Sequence, residues 1–146
     1  MDVMGIFTSK GDGSEDDGTF YSLSSEFLEA AIVLSKMPSI NVNFTIAIYY
    51  LLSHSVELML KAFLHKKGRT IRELRALGHN LENLVLLSRK EGLPSFVNTN
   101  CTVAISKIYS GKKLEYRARA SHQFPNIDDF VKECKKIQST VFGSLY

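Results

Sequence analysis

Residues 42–66 read Val42-Asn-Phe-Thr-Ile-Ala-Ile-Tyr-Tyr-Leu-Leu-Ser-His-Ser-Val-Glu-Leu-Met-Leu-Lys-Ala-Phe-Leu-His-Lys66. The first half is apolar on nearly every side, the mark of a helix surrounded by other helices. A membrane span is excluded on this reading, because His54, Glu57 and Lys61 interrupt the run and ionised side chains are costly in hydrocarbon. The segment therefore predicts the central helix of a bundle. Gly68 is its natural stop, and Lys66, Lys67 and Arg69 suit the negative end of its dipole.

Helical spacing continues on both sides. Upstream, Leu23, Phe27, Ala30, Ala31 and Leu34 recur at three and four, with Ser22 or Ser24 as cap and Pro38 as terminator. Residues 8–19 hold no apolar side chain and three Gly, and read as a flexible acidic lead-in, so the boundaries predicted are 1–19 lead-in and 20–146 single domain. Downstream, Thr70 with Glu73 forms a capping-box pattern opening a short helical turn, which Gly78 closes. Asn80 caps a helix from Leu81 to Lys90, stopped by Gly92 and Pro94. Asn98 or Asn100 starts another carrying Val103, Ile105 and Ile108, interrupted at Gly111. Pro125 precedes a last amphipathic helix with Ile127, Phe130, Val131, Cys134 and Ile137 on one stripe. No stretch alternates as a strand does. The fold class predicted is all-α, an antiparallel up-and-down helical bundle of four to five main helices.

Composition agrees with one globular domain: 146 residues, 45% hydrophobic and 23% charged, which argues against disorder and fibrous repeats. Cys101 and Cys134 are too few for a disulfide framework or a thiolate zinc site, and read as reduced thiols of a cytoplasmic protein. The first ten residues lack the basic and apolar regions of a signal peptide. Charge is uneven. Residues 1–50 carry seven acids and two bases, whereas 61–119 carry thirteen Lys/Arg and four Glu, a local +9 that favours phosphate-bearing partners.

The run from His54 through Glu57, Leu58, Leu60, Lys61, Ala62 and Leu64 to Gly68, then His79-Asn80-Leu81, resembles the HEPN family of small helical bundles. Its recurring pattern is His-x-x-Glu-Leu-x-Leu-Lys-Ala-x-Leu, a Gly, and a His-Asn/Asp-Leu that opens the next helix. The match covers about a quarter of the chain. Many HEPN proteins are metal-independent ribonucleases built as dimers around an Arg-(four to six residues)-His motif. The resemblance thus implies a homodimer in which Arg117 clamps a scissile phosphate and His122 acts as acid/base, chemistry suited to a guanidinium and an imidazole. Ala118 follows the Arg where the family's nucleases usually carry a polar residue. Arg72 and His79 form a second pair with six intervening residues, at the family's His-Asn-Leu turn. The alternative the family offers is a non-catalytic interaction module partnering a nucleotidyltransferase or a toxin–antitoxin component.

Around these stand the candidate ligand-binding residues Lys61, Arg72, Arg75, His79, Tyr116 and Arg119, for a nucleotide or RNA held in a basic cleft. Tyr116 beside Arg117 and Arg119 suits base stacking, while Tyr49, Tyr50 and Tyr109 have the helical spacing of core residues. Glu57 and Lys61, four apart with Glu first, favour an ion pair, and His54 lies one turn before Glu57. The three read either as a structural polar stripe or as a cleft wall. His79 reads as a ring bonding a backbone group to fix its turn, or as part of an anion site. His65 reads as solvent-facing. No Walker loop and no metal-ligand spacing occur, so neither metal nor cofactor is expected.

Overall fold

The computed structural model of the chain describes residues 16–38, 44–111 and 124–145. These residues form an all-α bundle with no strand among them. In order, the helices are α1 (Asp17–Lys36), α2 (Thr45–Lys66), α3 (Ile71–Leu77), α4 (Leu81–Lys90), α5 (Asn100–Ser110) and α6 (Ile127–Leu145). Helix α3 is the short turn expected after Thr70, and the other five are the main helices.

Helix α2 is the axis and packs against all five others. Leu52, Val56, Met59, Leu60 and Leu64 are withdrawn from solvent along its length. Burying a side chain of that size stabilises by about 1.5–3 kcal/mol, so this one helix organises the core. By length and composition α2 could cross a membrane, yet 72% of its most apolar window is buried against its neighbours. Helices α1 and α2 run antiparallel: Ser55 Oγ donates to Ser24 O at 2.7 Å at one level, and His65 Nδ1 meets Asp17 Oδ1 at 3.2 Å farther along. Helix α6 is antiparallel to α1, Tyr21 packing on Phe142 and Gln138 bonding Ser25. It contributes Phe130, Cys134, Ile137 and Val141 to the core.

Local chemistry sets the ends. Thr70 and Glu73 complete the capping box of α3 reciprocally, and Asn80 Oδ1 accepts from Asn83 N to start α4. Gly68 and Gly78 take φ of 102° and 57°, values that side-chain-bearing residues rarely adopt, and so turn the chain into and out of α3. Helix α1 departs from expectation. It starts at Asp17 rather than after Ser22 or Ser24, because Asp16 Oδ1 accepts from Thr19 N at 2.7 Å. Ser24 is instead buried, its hydroxyl donating to Tyr21 O within the helix. The last three residues of the expected lead-in, 17–19, thus form the first turn of α1.

Two buried polar clamps join the elements. Glu133 of α6 accepts from Cys101 N at 3.0 Å, Thr102 N at 2.8 Å and Thr102 Oγ1 at 2.7 Å, capping α5 from another helix. Arg89 at the end of α4 donates to Pro94 O, Val97 O and Thr99 Oγ1, tying the 91–99 connection to the helix it leaves.

Candidate functional site

The middle of α2 places Glu57 under the meeting point of α2, α5 and the turn after α3. Its carboxylate is almost sealed, 2% exposed. Lys61 Nζ, one turn on, donates to Oε2 at 3.0 Å. Oε1 accepts from the Tyr109 hydroxyl of α5 at 2.6 Å and faces His79 Nδ1 at 2.8 Å. His54 Nδ1 lies 2.9 Å from the same Tyr109 hydroxyl and 3.9 Å from Oε1. Burial alone would raise the Glu57 pKa. His54, the Lys61 charge, Tyr109 and His79 together outweigh it and hold the group at about 2.

An ionised carboxylate only accepts, so hydrogen-bond directions follow from it. Tyr109 gives its proton to Glu57, and its oxygen accepts from His54 Nδ1–H. His79 Nδ1 likewise donates to Oε1. Both imidazoles therefore carry a proton on Nδ1. Neither Nε2 has a hydrogen-bond partner among the described residues. The His79 side chain is 56% exposed and that of His54 24%, whereas Lys61 is nearly covered at 11%. His54 is held in place by Phe27, edge-on at 4.7 Å between ring centroids, and by stacking on Tyr50.

Four sequence candidates thus converge: His54, Glu57, Lys61 and His79. The polar stripe on α2 exists, but Glu57 reaches His54 chiefly through Tyr109, a residue the spacing had suggested for the core. His79 bonds a carboxylate from a distant helix rather than a backbone group of its own turn. Arg72 and Arg75 lie exposed on α3, immediately before the Gly78-His79 turn. Lys61 is committed to Glu57 and contributes little free charge to the surface. His65 pairs with Asp17 and packs edge-on against Phe20 instead of facing solvent alone. Tyr116, Arg117, Arg119 and His122 lie outside the described residues. So does all of the 112–123 stretch on which the Arg-His motif stands.

Among the described residues no three His, Cys, Asp or Glu side chains converge as metal ligands would. Neither thiol is activated: burial, then Glu133, pushes Cys101 up to about 11, and burial holds Cys134 well above the ordinary thiol range. A cleft of about 470 Å³ opens elsewhere, between Leu34, Phe44, Ile48, Tyr49 and Phe124, and contains none of the candidates. Compared with known proteins, the chain matches no family model, no curated protein and no solved structure.

Proposed function

We propose that this chain is a cytoplasmic HEPN-like domain that binds RNA or a nucleotide through a basic surface centred on His79. The observation that carries the reading is the half-exposed imidazole of His79, oriented from below by Glu57 and following directly on the exposed Arg72 and Arg75 of α3. A sealed carboxylate fixes the ring for a ligand, and the exposed Arg72 of α3 carries the sign of charge that suits that ligand's phosphates. The surplus of bases in 61–119 supports the same sign of partner. Arg117 and His122 remain the residues that the HEPN resemblance nominates for metal-independent cleavage.

Fluorescence anisotropy with a labelled single-stranded RNA over a series of NaCl concentrations tests the binding. Affinity should fall linearly with log salt, and Arg72→Ala should lower the slope by about 0.7, one phosphate contact's worth. Affinity that ignores salt, or no binding at all, overturns the proposal.

The second reading, an interaction module, is favoured by a different observation. Leu23 and Val33 of α1, Met37 just past its end and Tyr50 of α2 are 36%, 55%, 49% and 38% exposed. These exposed apolar side chains favour homodimerisation, with a nucleotidyltransferase or toxin–antitoxin partner as the other occupant. Light scattering of wild type and Val33→Asp decides it: a dimer that the charge converts to a monomer supports self-association, and a wild-type monomer refutes it.

A further inference from the structure

We propose that the cleft between the end of α1 and the starts of α2 and α6 binds an organic ammonium ion, its apolar body among the aromatic rings and its nitrogen at Asp128. The proposal is independent of the nucleic-acid reading, since the cleft holds none of the residues assigned to that surface.

Its size and lining suit a small organic molecule. About 470 Å³ lies within the range of sites that enclose such ligands, roughly 300–1,000 Å³. Leu34 and Ile48 supply aliphatic surface, and Phe44, Tyr49 and Phe124 supply three rings. The Tyr49 hydroxyl donates to Pro125 O at 2.5 Å, which ties the start of α6 to α2. The Tyr49 and Phe124 rings pack at 4.9 Å between centroids. Tyr49 is buried, whereas Phe124 and Met37, also of the lining, are 38% and 49% exposed. A firm aromatic wall thus has an open apolar edge.

Charge then selects the ligand. Asp128, in the first turn of α6, is the one carboxylate among the described lining residues, and no Lys, Arg or His accompanies it. Lys36 is the nearest base in sequence to the α1 part of the lining and does not belong to it. The Asp128 side chain is exposed and has no hydrogen-bond or ion-pair partner among the described residues. Two helix starts border the cleft, and a helix start carries about half a positive charge. That of α6 is engaged by Asn126, whose Oδ1 accepts from Asp129 N at 3.1 Å. That of α2 has no side-chain cap, but the whole charge of Asp128 exceeds it. Aromatic rings attract cations through their negative faces. An anion would gain only the α2 end, whereas an ammonium gains the carboxylate and the rings together. The ligand class is therefore an amine or methylated amine carrying an aryl or alkyl group.

The test titrates the full chain with three probes that share one body: 4-phenylbutylamine, 4-phenylbutanol and 4-phenylbutyrate. NMR signals of the Ile48, Tyr49 and Phe124 side chains report on the cleft. The amine should shift them saturably and bind about two- to fivefold tighter than the alcohol, the worth of one exposed charge pair. The butyrate should bind more weakly than the alcohol. Asp128→Asn should erase the preference for the amine and leave the alcohol's affinity unchanged. Phe124→Leu keeps an apolar side chain and removes a ring, so it should weaken the amine more than the alcohol. Both changes are at exposed positions, and the comparison of the three probes on wild type stands without either variant. No saturable shift at those three residues overturns the proposal. So does alcohol or butyrate that binds wild type as tightly as the amine, and so does a preference for the amine that survives Asp128→Asn.

Discussion

The Tyr109 hydroxyl donates to Glu57 Oε1 at 2.6 Å, joining side chains 52 positions apart in the sequence. That bond welds α5 to α2 at the ion pair Glu57–Lys61 buried in α2, and it relays the carboxylate to His54. Stability and the candidate site therefore share a hydrogen bond.

Tyr109→Phe keeps the ring and removes the donor. The buried carboxylate loses one partner on Oε1 and His54 loses its acceptor, so unfolding free energy should drop by about 1–3 kcal/mol. Urea denaturation at pH 7 measures it. An unchanged midpoint would mean that the hydroxyl is not holding the helices together.

Acid should expose the Glu57 network. Its folded pKa is about 2, against an ordinary value of 4.5. A depressed carboxylate contributes stability that is fully present above the unfolded value and is lost as pH falls through the folded one. The shift corresponds to roughly 3 kcal/mol, present above about pH 4.5 and declining toward pH 2. Glu57→Gln should be less stable at pH 7 and should lack this part of the acid decline. Parallel urea titrations of wild type and variant that keep a constant gap from pH 7 to pH 2 would sink the assignment.

Glu133 is the cap of α5, so Glu133→Ala should loosen that helix's first turn specifically. Three hydrogen bonds to a buried carboxylate are lost, at a cost of about 3 kcal/mol or more. Amide exchange at Cys101 and Thr102 should accelerate more than exchange in the middle of α2. Uniform acceleration would instead signal global destabilisation.

Thiol chemistry gives a second view of the same clamp. At pH 8 both cysteines should react with an aromatic disulfide far more slowly than a free thiol, since Cys101 is pushed up to about 11 and Cys134 is sealed. Glu133→Gln removes the charge beside Cys101 and should speed its labelling, with Cys134 still protected by burial. Equal rates for Cys101 in both proteins would show that burial alone governs it.

Phe130 is fully buried among the α6 core residues, and Phe130→Ala should cost about 3–5 kcal/mol by opening a cavity against the bundle. Thermal unfolding measures this, and a loss below 1 kcal/mol would mean that neighbouring side chains collapse into the space.

The helices were legible wherever the determinant is local. The capping box at Thr70 and Glu73, the Asn80 cap, the stop after Lys36 ahead of Pro38, and the limits of Leu81–Lys90 all depend on residues within a turn or two. The start of α1 was misread because Asp16 stands in an acidic, glycine-containing stretch whose composition hides a good cap. The α2 members of the site were equally legible, since Glu57 and Lys61 are one turn apart. Tyr109 was not, because period alone says that it faces inward and says nothing of what it meets. The His79–Glu57 bond spans 22 positions and two turns of chain, and only the packing of α3 and α4 against α2 creates it. Arg117 and His122, nominated by resemblance, fall outside the described residues, and cleavage assays on their variants carry that part of the reading.

The cap of α5 comes from a residue 31 positions later, on the final helix. On the ribosome, α5 emerges with its first turn unsatisfied and stays so until α6 has been made and has docked. Tyr109 rides on the same helix but bonds Glu57 of α2, so its anchor is made before the cap that α6 supplies. The last helix thus completes the start of the one before it, while the Glu57 network is built wholly from residues that precede it.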